Sequence, residues 1–148
     1  MATTGAKVFI DTNVLLRART KTAPLHQEAE QLILSQRQAG AELWVSRQIL
    51  REYASQVTRP QQYMTMLTAQ QLEIETESIQ TFFRIADETA AVTKQWIALL
   101  KQFPTGGKQV HDANIVATML VNNIGVLLTN NVADMKRYAS LITIIPLT

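Results

Sequence analysis

The sequence contains no cysteine, so disulfide frameworks, thiolate metal sites and cysteine nucleophiles are all excluded, while the compartment is left open. It also lacks any apolar run near the roughly 20 residues needed to cross a bilayer. Met1 to Lys7 carries no apolar stretch of signal-peptide length, so a cytoplasmic protein is expected. A strong charge of one sign is missing too. With a net charge of only +2, the field of the whole molecule is too weak to announce a nucleic-acid binder. No repeat, linker or low-complexity tract interrupts the chain. What is present is ample apolar content: 148 residues at 47% hydrophobic suffice for one compact domain, 1–148, with a substantial core.

Strand and helix signals alternate along the sequence, the pattern of an α/β domain with a mostly parallel sheet. Lys7 to Ile10 reads as the first strand. Pro24 suits a first helical position, and Leu25, Ala29, Leu32 and Ile33 follow at helical spacing as far as Gly40. Glu42 to Val45 reads as a second strand, with Ser46 as the N-cap of a helix that carries Ile49, Leu50, Tyr53 and Val57 on one side. After the Arg59-Pro60 break, a helix through Tyr63, Met64 and Leu67 is expected to lead into an edge strand at Leu72-Glu73-Ile74-Glu75. Ser78 to Phe103 reads as helical throughout. Pro104-Thr105-Gly106-Gly107 is the clearest loop. A helix from Asp112 to Asn122, a buried strand Val126 to Thr129, a short helix Asn131 to Tyr138 and a final strand Thr143 to Pro146 complete the chain.

Four acids lie near element junctions: Asp11 after the first strand, Glu52 in the helix after the second, Asp112 at the opening of the late helix, and Asp134 after Leu128-Thr129. In a parallel sheet all strands point their carboxyl ends to one edge, so these four could share a pocket. Each also has a plainer reading. Asp11 and Asp112 could cap or favour the start of the helices they adjoin. Asp134 could join Asn131 in a capping arrangement, and Glu52 could be a solvated acid beside Arg51.

Taken together, the segments Val8-Phe9-Ile10-Asp11-Thr12-Asn13-Val14-Leu15-Leu16, Ser46-Arg47-Gln48-Ile49-Leu50-Arg51-Glu52-Tyr53, His111-Asp112-Ala113-Asn114-Ile115-Val116-Ala117-Thr118 and Leu127 to Asp134 resemble the motifs of a PIN domain, in its order and spacing. The likeness covers essentially the whole chain. It is greatest to the short VapC type, the ribonuclease halves of bacterial toxin–antitoxin pairs. The resemblance implies a three-layer fold with a central, mostly parallel sheet flanked by helices. It also implies that Asp11, Glu52 and Asp112 carry the family's acidic roles. For the fourth acid the family uses either the position held here by Asn131 or the later one held by Asp134; Asp134 is assigned, with Asn131 as a polar accessory. Thr12, Asn13 and Thr129 match polar positions that orient the acids or a metal-held water. A homodimer and a small antitoxin partner are further implications.

Several carboxylates held close together repel one another, and a divalent cation resolves the conflict. Hard oxygen ligands favour Mg²⁺ or Mn²⁺. Asp11 and Asp112 are expected as the main ligands, Glu52 as a ligand or water positioner, and Asp134 as a support. Such a site can hydrolyse a phosphodiester without a covalent nucleophile. Arg17, Arg19, Arg47, Arg51 and Lys108 are candidate contacts to RNA phosphates, and His111 is read as structural rather than as a general base. Glu73, Glu75 and Glu77 are read as the polar side of an edge strand. Gly106-Gly107-Lys108 lacks the remaining features of a phosphate loop. The leading expectation is therefore a metal-dependent endoribonuclease. A catalytically silent RNA- or protein-binding PIN fold is the alternative; a receiver-like domain phosphorylated on Asp11 is disfavoured because no acidic pair stands beside Asp11, and a phosphatase-like reading because Asn13 stands where a second Asp is needed.

Overall fold

A computed structural model of the chain describes residues 5–148; most of the N-terminal tract considered above for a leader lies outside that range. Five strands form one sheet in the order β3-β2-β1-β4-β5: β1 Lys7–Ile10, β2 Glu42–Ser46, β3 Arg84–Ala86, β4 Val126–Thr129 and β5 Thr143–Pro146. Every pairing is parallel, with Phe9 opposite both Trp44 and Leu127. Seven α-helices connect and flank these strands: α1 Thr12–Arg19, α2 His26–Gln38, α3 Arg47–Val57, α4 Ala69–Phe82, α5 Ala90–Gln102, α6 Gln109–Val121 and α7 Val132–Met135. The expected α/β architecture is the observed one, and its sheet is wholly parallel.

The central strands explain why the sheet is covered on both sides. Val8, Phe9, Ile10, Leu127 and Leu128 are all fully buried, the continuous apolar run of a parallel strand rather than the alternation of a half-exposed one. Residues from α1, α2, α3, α6 and the strands join one core cluster. Among the described residues no helix is long and apolar enough to cross a membrane.

Four expectations are corrected. The stretch proposed as an edge strand at Leu72–Glu75 is the body of α4, and the helix proposed through Tyr63 to Leu67 is irregular chain. Thr68 starts α4 with a reciprocal capping box to Gln71, and Leu72, Glu75, Thr76 and Ile79 turn one side inward at helical spacing. The apparent alternation of Glu73, Glu75 and Glu77 is therefore incidental. The stretch from Ser78 to Phe103, expected to be helical throughout as one helix or two, is divided by β3, three residues long, of which only Ala86 is buried. So short a strand contains less than one helical turn of sequence and leaves no periodic mark. Pro24 does not open α2; Leu25 takes a left-handed conformation at φ 62° and the helix begins at His26.

The order of the strands locates the site. From β1 the chain winds outward through β2 and β3, then returns to the other side of β1 with β4 and β5. Connections thus diverge between β1 and β4, and such a switch point opens a crevice at the carboxyl ends of the two strands. Asp11 follows β1 there, and Thr129 ends β4.

Candidate active site

Asp11 leaves β1 in an extended conformation and caps α1, with Oδ1 accepting from the Thr12 N–H at 2.8 Å. Its second oxygen, Oδ2, accepts from the Thr129 hydroxyl at 2.7 Å and from Asn13 Nδ2 at 3.3 Å. Capping and a functional role are thus compatible, because one oxygen serves the helix. The side chain is only 4% exposed. Burial is the main influence on it and raises its pKa, the Glu52 charge pushes the same way, and the three hydrogen bonds oppose both.

The partners of Asp11 are themselves fixed. Thr129 is fully buried, and its oxygen accepts from the Asn131 N–H at 2.9 Å, which leaves its proton for Asp11. Asn13 Oδ1 accepts from the Asn130 N–H at 2.7 Å, so one amide joins the turn after β1 to the turn after β4. Asn131 starts α7 without a side-chain cap bond; the capping arrangement with Asp134 does not form.

Glu52 arrives from α3, one turn inside a helix that Ser46 caps through Ile49. Its Oε1 accepts from the Thr12 hydroxyl at 2.6 Å and its Oε2 from Gln48 Nε2 at 2.9 Å. It is not a solvated acid paired with Arg51, which instead meets Glu88 at 3.1 Å. Gln48, only 5% exposed, escaped notice in the sequence although it precedes Glu52 by four residues, the spacing that puts two side chains on one helical face. It also donates to the His111 carbonyl at 3.0 Å and accepts from Asn114 Nδ2 at 2.8 Å. A single buried amide therefore ties Glu52 to the first turns of α6.

Asp112 is not the N-cap of α6; the helix begins at Gln109, and Asp112 lies in its first turn. Burial pushes its carboxyl from 3.8 up to about 6, with the charges of Asp11, Asp134 and Glu52 adding to the rise and His111 countering it. Three acids from elsewhere in the sequence thus act on the Asp112 carboxyl. Asp112, Asp11 and Glu52 line a cavity of about 440 Å³ together with Thr12, Asn13 and Asn131. Asp134 does not line it, whereas Asn131 does.

The basic residues separate. Arg17 lines the cavity. Arg19 is directed elsewhere, donating to Glu75, which also accepts from the Tyr53 hydroxyl, and to Ser78. Arg47 pairs with Asp87 at 3.0 Å. Arg51 borders a neighbouring hollow with Gln48, Glu52 and His111, and Lys108 is exposed at the start of α6. Sequence reading also missed Tyr63, which forms part of the cavity wall. Its placement in irregular chain left no periodic signal.

Among the described residues no three acidic or imidazole groups converge into a closed metal cage. The donors that line the cavity are carboxylate and amide oxygens, a hard set. Mg²⁺ retains most of its waters and uses one or two carboxylates, so an open pair, Asp11 and Asp112, fits such an ion without a cage.

Solved structures share this fold. VapBC2 from Rickettsia felis, bound to a promoter DNA fragment, matches with a TM-score of 0.66 at 20% identity, covering 95% of this chain and 98% of that one. A toxin–antitoxin complex from Klebsiella pneumoniae gives 0.67 at 18% identity, over 95% and 98%. VapC20 of Mycobacterium tuberculosis, a toxin that cleaves the sarcin–ricin loop, gives 0.62 at 19% identity, over 81% and 86%. No curated protein matches the chain. The profile of the PIN domain family matches residues 8–141, nearly the whole sequence and every element of the site, and the chain belongs to the PIN domain family.

Proposed function

We propose that this protein is a Mg²⁺- or Mn²⁺-dependent endoribonuclease of VapC type, the toxin of a toxin–antitoxin pair. The observation that carries the reading is the convergence of Asp11, Glu52 and Asp112 on one cavity at the sheet's switch point. Likeness in fold to toxins of that kind, one of them described as cleaving the sarcin–ricin loop, supports it.

Asp11 and Asp112 would hold the ion, Asp11 through the oxygen lone pairs its three donors leave open. When bound, a divalent ion lowers the pKa of water and neutralises charge on the phosphate. Glu52, gripped at both oxygens by Thr12 and Gln48, would serve as a further ligand or position the attacking water. Asp134, outside the cavity lining, adds negative potential at Asp112. Arg17 holds a flanking phosphate. With acids this close, ion and substrate bind together more favourably than either alone, because each offsets the other's charge.

The antitoxin would be a small protein competing for this cavity, and a homodimer is the proposed assembly. Purified protein with Mg²⁺ or Mn²⁺ should cleave RNA, and Asp11→Asn should abolish cleavage; equal rates for the two proteins would sink the reading. The silent alternative is separated by titration with Mn²⁺, since a silent domain shows no binding that depends on Asp11.

A further inference from the structure

The cavity is larger than its acids require. About 440 Å³ in volume, it is lined beyond the carboxylates by Leu16, Arg17 and Tyr63. Tyr63 lies in the irregular chain between α3 and α4, yet its backbone is anchored from both sides. The Thr22 hydroxyl donates to its carbonyl, Gln61 donates to the Gln56 carbonyl at 2.7 Å, and the Leu67 N–H donates to the Val57 carbonyl at 2.9 Å. A half-buried ring on anchored backbone offers a flat apolar face and loses little freedom when something stacks on it. Leu16, 7% exposed, provides apolar surface in the same wall.

Arg17 differs from the other arginines near this edge. Arg19, Arg47 and Arg51 each have an acidic partner, whereas among the described residues Arg17 has none and gives one donor to the Pro24 carbonyl at 2.8 Å. A guanidinium has five donors, so most of its capacity remains for an anion. Cation, aromatic ring and carboxylates thus share a single cavity.

We propose that Tyr63, Leu16 and Arg17 form a subsite for one unpaired nucleotide of the substrate, whose base stacks on the Tyr63 ring while Arg17 holds the adjoining phosphate. The inference rests on the ribonuclease reading and specifies the form of RNA that the site accepts. A base within a duplex has both faces covered by its neighbours, so the ring selects single-stranded or looped RNA. Stacking tolerates every base. Tyr63 therefore contributes affinity and strand path, and sequence preference must come from other groups.

The test uses the full chain with Asp11→Asn, to suppress hydrolysis, and short single-stranded oligoribonucleotides carrying an abasic residue at successive positions. One position should stand out, its base removal weakening binding roughly tenfold or more. Tyr63→Ala should erase that difference, and Tyr63→Phe, which keeps the ring and guards against a folding artefact, should retain it. In the otherwise unaltered protein, Tyr63→Ala should raise KM with little change in kcat and leave Mn²⁺ affinity as it was. Abasic penalties that are the same with and without the ring overturn the subsite even if RNA is cleaved. Base-dependent binding that needs Tyr63, in a protein that no divalent ion makes hydrolytic, overturns the ribonuclease reading and leaves the subsite standing. Failure to bind RNA at all overturns both.

Discussion

Asp11 and Asp112 line the same cavity but are built in opposite ways. Asp11 is almost fully buried and accepts three hydrogen bonds from groups that are themselves anchored. Asp112 is half-buried, and among the described residues its carboxylate accepts no hydrogen bond; its surroundings are mainly other negative charges. The contrast follows from where each residue sits. The turns after β1 and β4 are adjacent in the sheet, so their amides and hydroxyls can be stitched together around Asp11. Asp112 is carried in by a helix whose first turn touches the site from one side. One half of the site is held in place by hydrogen bonds, and the other is left with its charge uncompensated.

The largest expected effect tests that division directly. Asp11→Asn should lower RNA cleavage on the order of a thousandfold, since several kcal/mol of charge stabilisation are withdrawn. The asparagine oxygen can still cap α1, and loss of a buried charge should raise the melting temperature. Asp134→Asn, outside the cavity, should cost only about tenfold, the scale of an outer-layer residue. Equal losses in the two variants would show that an acid outside the cavity matters as much as the anchored one that lines it. Next in size are the residues that hold acids in place. Thr129→Val removes the hydroxyl from Asp11 Oδ2 and should cost about ten- to a hundredfold in kcat, with about 1–3 kcal/mol of stability from the less satisfied carboxylate. Gln48→Leu frees Glu52 Oε2 and should cost about tenfold, whereas the same change at Gln31, exposed on α2 away from the cavity, should leave kcat within about twofold. A Gln48→Leu enzyme with unaltered kcat would show that Thr12 alone suffices to orient Glu52.

How far the sequence reveals this arrangement depends on the kind of order involved. Strands such as Val8–Ile10 and Val126–Thr129 are legible because burial on both faces demands an unbroken apolar run. That Asp11, Glu52 and Asp112 share a cavity was open to sequence reasoning because a parallel sheet gathers its strand ends and the helix entries after them at one edge. Gln48 was missed for a physical reason. Its role depends on the His111 carbonyl and on Asn114, more than sixty residues away, and no local pattern encodes such a partner. Residues 84–86 and the stretch around Tyr63 were hidden differently, one by being too short for any period and the other by having none. The fourth position stays divided between two residues: Asn131 lines the cavity, while Asp134 lies outside its lining and acts on Asp112 through its charge.

The smallest effect concerns Asp112 alone and probes the unfinished half of the site. Its folded pKa of about 6 lies above the ordinary 3.8, so between those values the folded chain retains a proton that the unfolded chain has lost. The contribution to stability is therefore complete below about pH 4 and disappears as pH rises through about 6. Asn imitates the protonated form at every pH. In the presence of a chelator, Asp112→Asn should match the parent protein near pH 4 and exceed it near neutrality, measured by denaturant melts across the range. Because the carboxyl is partly solvated, salt should narrow the gap. Excess Mg²⁺ should narrow or reverse it near neutrality, since the ion stabilises only the protein that still has the carboxylate. A gap that ignores both pH and Mg²⁺ would mean that Asp112 is as settled in its surroundings as Asp11, and the two halves of the site would no longer differ.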